Sequence, residues 1–376
     1  MSTPNVTLIA PCLFGLEKLL GEEIDALGYR RLYTIDGRVC FEAPLNQIPR
    51  INISLRFAER VLIEIGSFSA TTFTELFDGT QCLPWEHYIG RDDQFPVKGH
   101  SIQSALHSIP DCQSIIKKAV VDRLSSVYGI RRFEETGIKY QIEFFLLRDK
   151  VSLMIDTTGT PLHKRGYRPE TVTAPLRETL AAAMVKLARP REDVLLWDPF
   201  CGSGTIAIEA ALMMTNTAPG LNRRFAGELF PQIPMELWEE ARDRALDEIT
   251  DPQFEVYASD IDADCVRVAA DSVRRAGVSR YVKVFQQDAL TIRTEGRRGT
   301  IVCNPPYGER LMTVEQAEDL YRQMGKHFST LDRWQIYVIT SCESFQALYG
   351  RRADKIRRLY NGMIKCNYYQ FFRNHG

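Results

Sequence analysis

Short apolar runs alternate with segments of helical periodicity through the second half of the chain. Val194–Asp198, Phe254–Asp260, Tyr281–Gln287 and Gly299–Cys303 are rich in β-branched and aromatic residues, and each predicts a strand. Trp334–Thr340 predicts a fifth strand in the same series. Because strands that alternate with helices are typical of a parallel sheet, this half is predicted to be an α/β domain built on such a sheet.

The end of the chain is predicted to form a hairpin. Asn361-Gly362 is a strong two-residue turn signal between the apolar runs Lys355–Tyr360 and Met363–Phe372. Just before this turn lies the densest basic cluster of the chain, opposed only by Asp354. Its members are Arg351, Arg352, Lys355, Arg357 and Arg358. They are candidate phosphate contacts, and the alternative is an exposed edge strand protected by its charges.

The first half predicts two smaller α+β units, at residues 1–60 and 61–160. The first contains a strand, a helix and a hairpin turn at Asp36-Gly37, and the second contains a strand, a helix and a hairpin. The predicted elements are the strands Val6–Ala10 and Val61–Ile65, the helix Gln113–Tyr128 and the hairpin strands Tyr140–Leu147 and Val151–Asp156. Residues 161–376 then form the α/β domain, in which a long segment at 215–252 is predicted to cover the site.

The composition of the 376-residue chain is that of an ordinary globular protein, with 44% hydrophobic and 25% charged residues. A net charge of −1 gives no global basic field, so a nucleic acid would be bound by local patches. The sequence predicts neither a membrane span nor a signal peptide. Nine cysteines without a Cys-x-x-Cys pair, and six histidines without ligand spacing beside them, favour a reducing cytoplasm and no structural zinc.

The most informative stretch is Asn304-Pro305-Pro306-Tyr307, directly after the predicted strand Gly299–Cys303. The two prolines end the strand and stiffen the loop, which leaves Asn304 at the edge of the sheet where such folds bind ligands. The side-chain oxygen of Asn304 and the carbonyl of Pro305 could both accept hydrogen bonds from a planar NH₂ group. Tyr307 offers a face on which a base could stack. The stretch predicts a site that holds an aromatic amine.

Further candidates lie at the ends of the preceding strands. A glycine-containing turn, Asp198-Pro199-Phe200-Cys201-Gly202-Ser203-Gly204-Thr205, follows the first strand and admits close approach of a ligand. Asp260 can accept from both hydroxyls of a ribose, and Ile261 can cover one face of an adenine. Asp288, followed by Ala289, could accept a hydrogen bond from the adenine amino group. Asp262 could also contact the cofactor, or it could instead cap the helix that follows. Cys201 has no base in view and is read as a packed loop residue.

These stretches resemble a known family. Asn304–Arg310, with its Gly308-Glu309-Arg310 extension, is similar to motif IV of the S-adenosylmethionine-dependent amino methyltransferases that act on guanine N2 of ribosomal RNA. The turn Asp198–Thr205 resembles their motif I, and Ala174–Leu180 resembles motif X, which lies beside the methionine end of the cofactor. His163-Lys164-Arg165-Gly166-Tyr167-Arg168 looks like a signature of the same family.

The resemblance implies a Rossmann-like class I methyltransferase domain at 161–376, preceded by a ferredoxin-like subdomain at 1–60 and a THUMP RNA-binding domain at 61–160. It implies S-adenosylmethionine as cofactor, RNA as partner, most specifically 23S ribosomal RNA, and a cytoplasmic enzyme that needs no metal. The implied catalytic residues are Asn304, Pro305, Pro306 and Tyr307, and the implied RNA contacts are Lys164, Arg165, Tyr167 and Arg168. The implied cofactor contacts are Asp198, Pro199, Phe200, Gly202, Gly204, Thr205, Asp260, Ile261, Asp288, Ala289, Pro175 and Glu178.

Several alternatives stay open. Gly202-x-Gly204-x-x-Ala207 also fits a nicotinamide-cofactor fingerprint, but that motif expects an acidic residue about 20 positions on, and Asp260 follows Gly204 by 56. Amino methyltransferases of transfer RNA guanine, DNA adenine and protein glutamine are further alternatives, as is an RNA-binding assembly factor without catalysis. A chain that begins near Thr160 is predicted to bind the cofactor but not to act on RNA.

Overall fold

The structure is a computed structural model that describes residues 3–168, 176–307 and 313–372. It contains two seven-stranded sheets. The strands of the first are β1 (Asn5–Pro11), β2 (Arg30–Ile35), β3 (Arg38–Pro44), β4 (Leu62–Ser69), β5 (Val97–Ile102), β6 (Ile142–Leu147) and β7 (Lys150–Asp156). The strands of the second are β8 (Leu195–Asp198), β9 (Val256–Asp260), β10 (Val282–Gln286), β11 (Gly299–Cys303), β12 (Trp334–Thr340), β13 (Lys355–Asn361) and β14 (Ile364–Phe371).

Helices cover one face of the first sheet and both faces of the second. The helices are α1 (Glu17–Ala26), α2 (Ile48–Ser54), α3 (Phe73–Gln81), α4 (Ile109–Tyr128), α5 (Glu178–Ala188), α6 (Thr205–Met214), α7 (Met235–Asp247), α8 (Ala263–Arg275), α9 (Val314–Phe328) and α10 (Phe345–Tyr349). Helices α5, α6 and α8 pack on one face of the second sheet, and α9 and α10 pack on the other. None of the helices in the described ranges has the length and apolar character that a membrane crossing requires.

The second sheet has the predicted class, a mostly parallel α/β sheet. Its strand order is β10-β9-β8-β11-β12-β14-β13, with β14 antiparallel to both of its neighbours. The predicted hairpin is present, but its turn lies one residue later than expected. Asn361 belongs to β13 and pairs with Ile364, so Gly362 and Met363 form the turn. Gly362 has φ +64°, a left-handed value that favours glycine.

The first half differs from the predicted pair of units in one respect. Its strands form a single sheet in the order β2-β3-β1-β4-β7-β6-β5, in which β4 pairs with β1 on one side and β7 on the other. Residues 1–60 and 61–160 therefore share one hydrogen-bonded sheet. The two predicted hairpins of this half and the helix α4 are present, whereas α3 and the edge strand β5 had no prediction.

The two halves also share one core. A single cluster of buried apolar side chains extends from α1 through α4 and on to α5, α6 and α8. The segment 215–252, predicted to cover the site, makes its closest contacts with the first half. Gly220 N–H donates to Ile53 O (2.9 Å), and a Cβ on Gly220 would lie 2.6 Å from the Ile53 Cα. Gly227 N–H donates to Thr157 O (2.8 Å). This segment therefore joins the second half to the first.

Candidate functional site

Four strand ends meet at one edge of the second sheet. Asp198 ends β8, Asp260 ends β9, Gln286 ends β10 and Cys303 ends β11, directly before Asn304. Because β10, β9, β8 and β11 are neighbours, the side chains predicted from separate motifs come together here. The strand order reverses at β8, and open sheets of this kind bind ligands in the crevice at such a point.

A hydrogen bond to the buried carboxylate of Asp198 fixes the turn after β8. Asp198 is 1% exposed, and one of its carboxylate oxygens accepts from Phe200 N–H (3.2 Å). Burial, with a further contribution from the charge of Asp260, raises the pKa of Asp198 well above its usual value. Gly202 and Gly204 have φ values of +50° and +80°, which a side chain would strain. The turn thus presents bare backbone towards the crevice.

Asp260 connects this turn to the second strand. Its Oδ2 accepts from Gly202 N–H (2.9 Å) and its Oδ1 accepts from Asp262 N–H (3.1 Å). Ile261 beside it is 66% exposed, as a side chain would be if it lay against a ligand. Asp262 accepts from Asp264 N–H (2.8 Å) and caps α8, the alternative role considered for it. The ribose and adenine roles of Asp260 and Ile261 stay predictions.

Asp288 and Ala289 lie at the end of β10. Asp288 Oδ1 accepts from Leu290 N–H (2.9 Å), which holds the carboxylate at the start of a short helical turn, and Ala289 is buried. Pro199 is buried and Phe200 is half-buried against the core beneath the sheet. These positions are compatible with the predicted cofactor contacts and do not test them.

Arg168 contacts both Glu178 and the start of α6, and so places Glu178 near the glycine turn. Arg168 pairs with Glu178 Oε1 (2.7 Å), and its guanidinium also donates to Thr205 Oγ1 (3.3 Å) at the start of α6. Glu178 is 2% exposed, and burial raises the pKa of its carboxyl group. Its second oxygen, Oε2, is buried and has no hydrogen-bond donor among the described residues. Pro175 lies outside the described residues.

Asn304 has a buried side-chain oxygen that a ligand could satisfy. Its Oδ1 is buried and has no hydrogen-bond donor in the described part of the chain. A buried acceptor without a partner is costly, about 1–3 kcal/mol, and native structures rarely keep one without a functional reason. The atom therefore presents a lone pair to which no described residue donates, and an external amino group could do so. This supports the prediction that Asn304 accepts from an amino group.

The rest of the loop is held by residues that sequence reasoning did not identify. Tyr321, on α9, donates from its hydroxyl to Pro306 O (3.0 Å) and contacts Thr340 Oγ1 at 3.0 Å. Asn361 Nδ2 donates to the Tyr307 hydroxyl (3.3 Å). Tyr321 follows the apolar stripe of α9 and looks like an ordinary core aromatic in sequence. No local signal could have separated it from its buried neighbours.

The predicted RNA contacts in the loop 164–168 need correction. Arg165 is 3% exposed, and its guanidinium donates to Leu162 O (2.6 Å) and Arg56 O (2.7 Å). Tyr167 is 5% exposed, and its hydroxyl donates to Glu209 (3.0 Å). Arg168 is engaged by Glu178. Because these groups are bound within the protein, they do not face an external phosphate, and only Lys164 is exposed as the prediction requires.

The cysteines near the site are packed side chains, as predicted for Cys201. Burial raises the pKa of the Cys201 and Cys303 thiols well above the usual value, so neither is a thiolate at neutral pH. All nine cysteines are free. Across the described ranges, no group of three or more His, Cys, Asp or Glu side chains is placed to hold a metal ion.

Comparison with known proteins identifies three domains in the chain. A model of the RMKL-like methyltransferase domain matches residues 165–370, a model of the RlmL ferredoxin-like domain matches residues 7–62, and a THUMP domain model matches residues 70–156. The chain is 43% identical to YpsC of Bacillus subtilis, whose name proposes an RNA methyltransferase, over 97% of this chain and 96% of that protein.

Two further matches extend the comparison. The chain is 32% identical to the ribosomal RNA large subunit methyltransferase K/L of Psychromonas ingrahamii, over 95% of this chain and 49% of that protein. It therefore spans about half the length of the K/L proteins that it matches. A crystal structure of the SMU.472 methyltransferase complexed with S-adenosylhomocysteine is 38% identical, covers 100% of both chains and superposes with a TM-score of 0.92.

Proposed function

The chain belongs to the RMKL-like methyltransferase family and uses S-adenosylmethionine as its methyl donor, and from this premise we propose that it methylates the exocyclic N2 of a guanine in RNA. The observation that carries the proposal is Oδ1 of Asn304, at the carboxyl end of β11, which is buried and accepts no hydrogen bond from any residue that the structure describes. An NH₂ group would supply the hydrogen-bond donor that this atom lacks.

The residues at the strand ends fit the cofactor. Asp260 is half-buried beside the glycine turn, where a carboxylate can accept from ribose hydroxyls, and Ile261 is exposed enough to lie on an adenine. Glu178 adds a buried oxygen that accepts from no described residue, and Arg168 links this carboxylate to Thr205. S-adenosylmethionine supplies a methyl group already activated by its positive sulfur, so the protein's task is to align the acceptor.

Asn304 and Tyr307 would perform that alignment. Asn304 Oδ1, together with the carbonyl of Pro305, would accept from the two hydrogens of the guanine amino group and favour a more tetrahedral nitrogen. Tyr307 is held by Asn361, so its ring is fixed before a base stacks on it. Stacking of one base contributes about 1–3 kcal/mol. Positioning of this kind can supply effective molarities of about 10⁵ M or more.

The substrate we propose is 23S ribosomal RNA or a large-subunit precursor, in the cytoplasm. The support is the THUMP match at 70–156 and the ribosomal RNA large subunit named for the K/L relatives. Because the chain spans about half of those relatives, the guanine it modifies is a separate question from theirs. Lys164 is exposed in the loop 164–168, which joins the two halves, and it remains the proposed phosphate contact of this loop.

The test is methylation of total RNA, and in separate reactions of total DNA and total protein, all from a strain that lacks the gene, with labelled S-adenosylmethionine and the purified full chain. We expect N2-methylguanosine by mass spectrometry of the digested large-subunit RNA, and no label in transfer RNA, DNA or protein. Asn304→Ala should bind the cofactor but transfer no methyl group. Label in adenine or in protein glutamine, or wild-type protein that leaves every RNA guanine unmodified, would overturn the proposal.

A further inference from the structure

The hairpin of β13 and β14 extends beyond the edge of the sheet at which the candidate site lies. Thr340, the last residue of β12, pairs with Asn367, and the hairpin continues for three residues to the pair Asn361 and Ile364. At about 3.3 Å per residue, its end projects about 10 Å past the carboxyl end of β12. Since β12 and β11 are parallel neighbours, the projection is on the side of Asn304.

The projecting part of the hairpin is attached to the candidate catalytic loop. Asn361 Nδ2 donates to the Tyr307 hydroxyl at 3.3 Å, and Cys366 Sγ lies 3.8 Å from the same oxygen. Asn361 pairs across the hairpin with Ile364, directly below the turn. The turn is therefore positioned relative to the ring on which we propose that the target base stacks.

The residue at the end of the hairpin is unusual for its place. Met363 is 96% exposed, and Ile364 beside it is 42% exposed. The turn requires a left-handed residue only at Gly362, so nothing in its backbone geometry calls for a large apolar side chain at Met363. Turn positions normally carry small or polar residues. An extended, flexible thioether is thus held in solvent beside the site.

We propose that Met363 is a wedge that enters the RNA helix and occupies the space left by the target guanine when it swings out. This inference rests on the proposed function, because a base in a helix must leave the stack before its amino group can reach Asn304. Proteins that unstack bases commonly insert an apolar side chain, methionine among them, at the disrupted step. The contact between Asn361 and Tyr307 would couple insertion of the wedge to stacking of the extruded base.

The charges of the same hairpin favour RNA as the occupant. Lys355, Arg358 and Lys365 are exposed on its two strands, and Arg352 is exposed just before it. Lys365 lies next to the apolar tip, Arg358 lies three residues from Asn361, and Lys355 lies at the far end of β13. An apolar tip with cations along the hairpin behind it matches a helix whose interior is stacked bases and whose rim is phosphate. The basic cluster noted in the sequence thereby acquires a role as the backbone contact of the wedge.

The experiment uses two transcripts of the ribosomal RNA segment that contains the guanine mapped by nucleoside analysis. In one the guanine is paired with its cytosine, and in the other that cytosine is deleted. Met363→Ala should lower kcat/KM at least about tenfold on the paired transcript and less than about twofold on the unpaired one. Met363→Leu should retain activity on both, and Leu246→Ala, which truncates a 54% exposed apolar side chain on α7, should change neither.

A second readout follows the base directly. With 2-aminopurine in place of the guanine and uracil in place of its cytosine, which keeps the pair, wild-type protein should raise the fluorescence as the base unstacks, and Met363→Ala should raise it less. Equal loss of activity on both transcripts, or no loss on the paired one, would refute the wedge. If wild-type protein methylates neither transcript, the proposed function itself fails, and the wedge fails with it.

Discussion

The buried charge cluster between the two halves gives the sharpest test of how they depend on each other. Glu209, on α6, is fully buried, and its carboxylate lies 3.5 Å from Arg165 and 3.9 Å from Arg56. It also accepts from the Tyr167 hydroxyl at 3.0 Å. Arg56 belongs to the first half, and α6 begins at the glycine turn of the candidate site. The variant Glu209→Gln keeps the shape of this side chain and removes its charge.

The expected loss of stability follows from the two guanidinium charges, of Arg56 and Arg165, that Glu209 neutralises. Arg56 is 8% exposed and Arg165 is 3% exposed, so neither guanidinium can recover its hydration when Glu209 becomes neutral. Removing one partner of a buried ion pair typically destabilises a protein by about 3–5 kcal/mol. Hydrogen bonds from Arg56 to Thr217 O (2.8 Å) and from Arg165 to Leu162 O (2.6 Å) remain. We therefore expect the lower end, a loss of about 3 kcal/mol in the free energy of unfolding.

The assay is urea unfolding followed by tryptophan fluorescence, with far-ultraviolet circular dichroism as a second probe. The control is Asp271→Asn, which neutralises an exposed pair with Arg274 (2.7 Å) and should leave the unfolding midpoint almost unchanged. Because one apolar core runs through both halves, both probes should report a single transition in wild-type protein.

The same contacts argue against an independent C-terminal half. A chain that begins near Thr160 lacks Arg56 and also Glu59, whose carboxylate accepts from Arg177 (3.1 Å) and Thr179 (2.7 Å) at the start of α5. We now expect this chain to bind the cofactor weakly or to aggregate, contrary to the prediction from sequence. Wild-type stability of Glu209→Gln, or wild-type cofactor affinity of the truncated chain by calorimetry, would refute the reasoning.

Three further variants test the site and the junction. Asn304→Ala should lower kcat by at least about 100-fold through lost alignment while calorimetry shows cofactor binding largely unchanged; parallel loss of both would indicate a folding role instead. Asp260→Ala should weaken cofactor binding about tenfold or more, since a hydrogen bond to a charged group contributes about 1.5–3 kcal/mol. Unchanged cofactor affinity by calorimetry would contradict the proposed contact of Asp260 with the ribose. Burial raises the pKa of Glu23 to about 7 from an ordinary 4.5, against backbone N–H donors at Arg56 and Phe57. The contribution of Glu23 to stability is therefore full below pH 4.5 and lost as the pH rises through about 7, so Glu23→Gln should flatten the fall in Tm across that window in scanning calorimetry.

The sheet of the second half could be predicted from sequence because its signals are local. The central strands β8, β11 and β12 are short, mostly apolar runs that are almost entirely buried, and the predicted limits Trp334–Thr340 and Gly299–Cys303 agree with the structure. The hairpin turn was placed one residue early, since Asn361-Gly362 is the stronger turn signal by composition. In the structure Asn361 pairs with Ile364 and belongs to the strand, and its side chain contacts Tyr307.

Features that depend on distant partners could not be predicted in this way. The loop 164–168 is basic, and basic residues are usually exposed, so burial of Arg165 follows only from the buried carboxylate of Glu209, 44 positions on. The union of the first two units in one sheet depends on β4 pairing with β7, across a separation that no local pattern reports. Pairing of this kind is decided by tertiary packing rather than by propensity.

The arrangement around Asn304 explains how the protein can keep an unsatisfied acceptor there. Left to itself, the loop would relax until Oδ1 found a donor or water, because burial without a partner costs about 1–3 kcal/mol. Tyr321 fixes the Pro306 carbonyl from beneath, and Asn361 fixes the Tyr307 hydroxyl from the side, so the loop is held at both of its last residues. The two prolines restrict the rest. An external amino group that binds here would satisfy the oxygen, so the same atom would contribute both to affinity and to alignment.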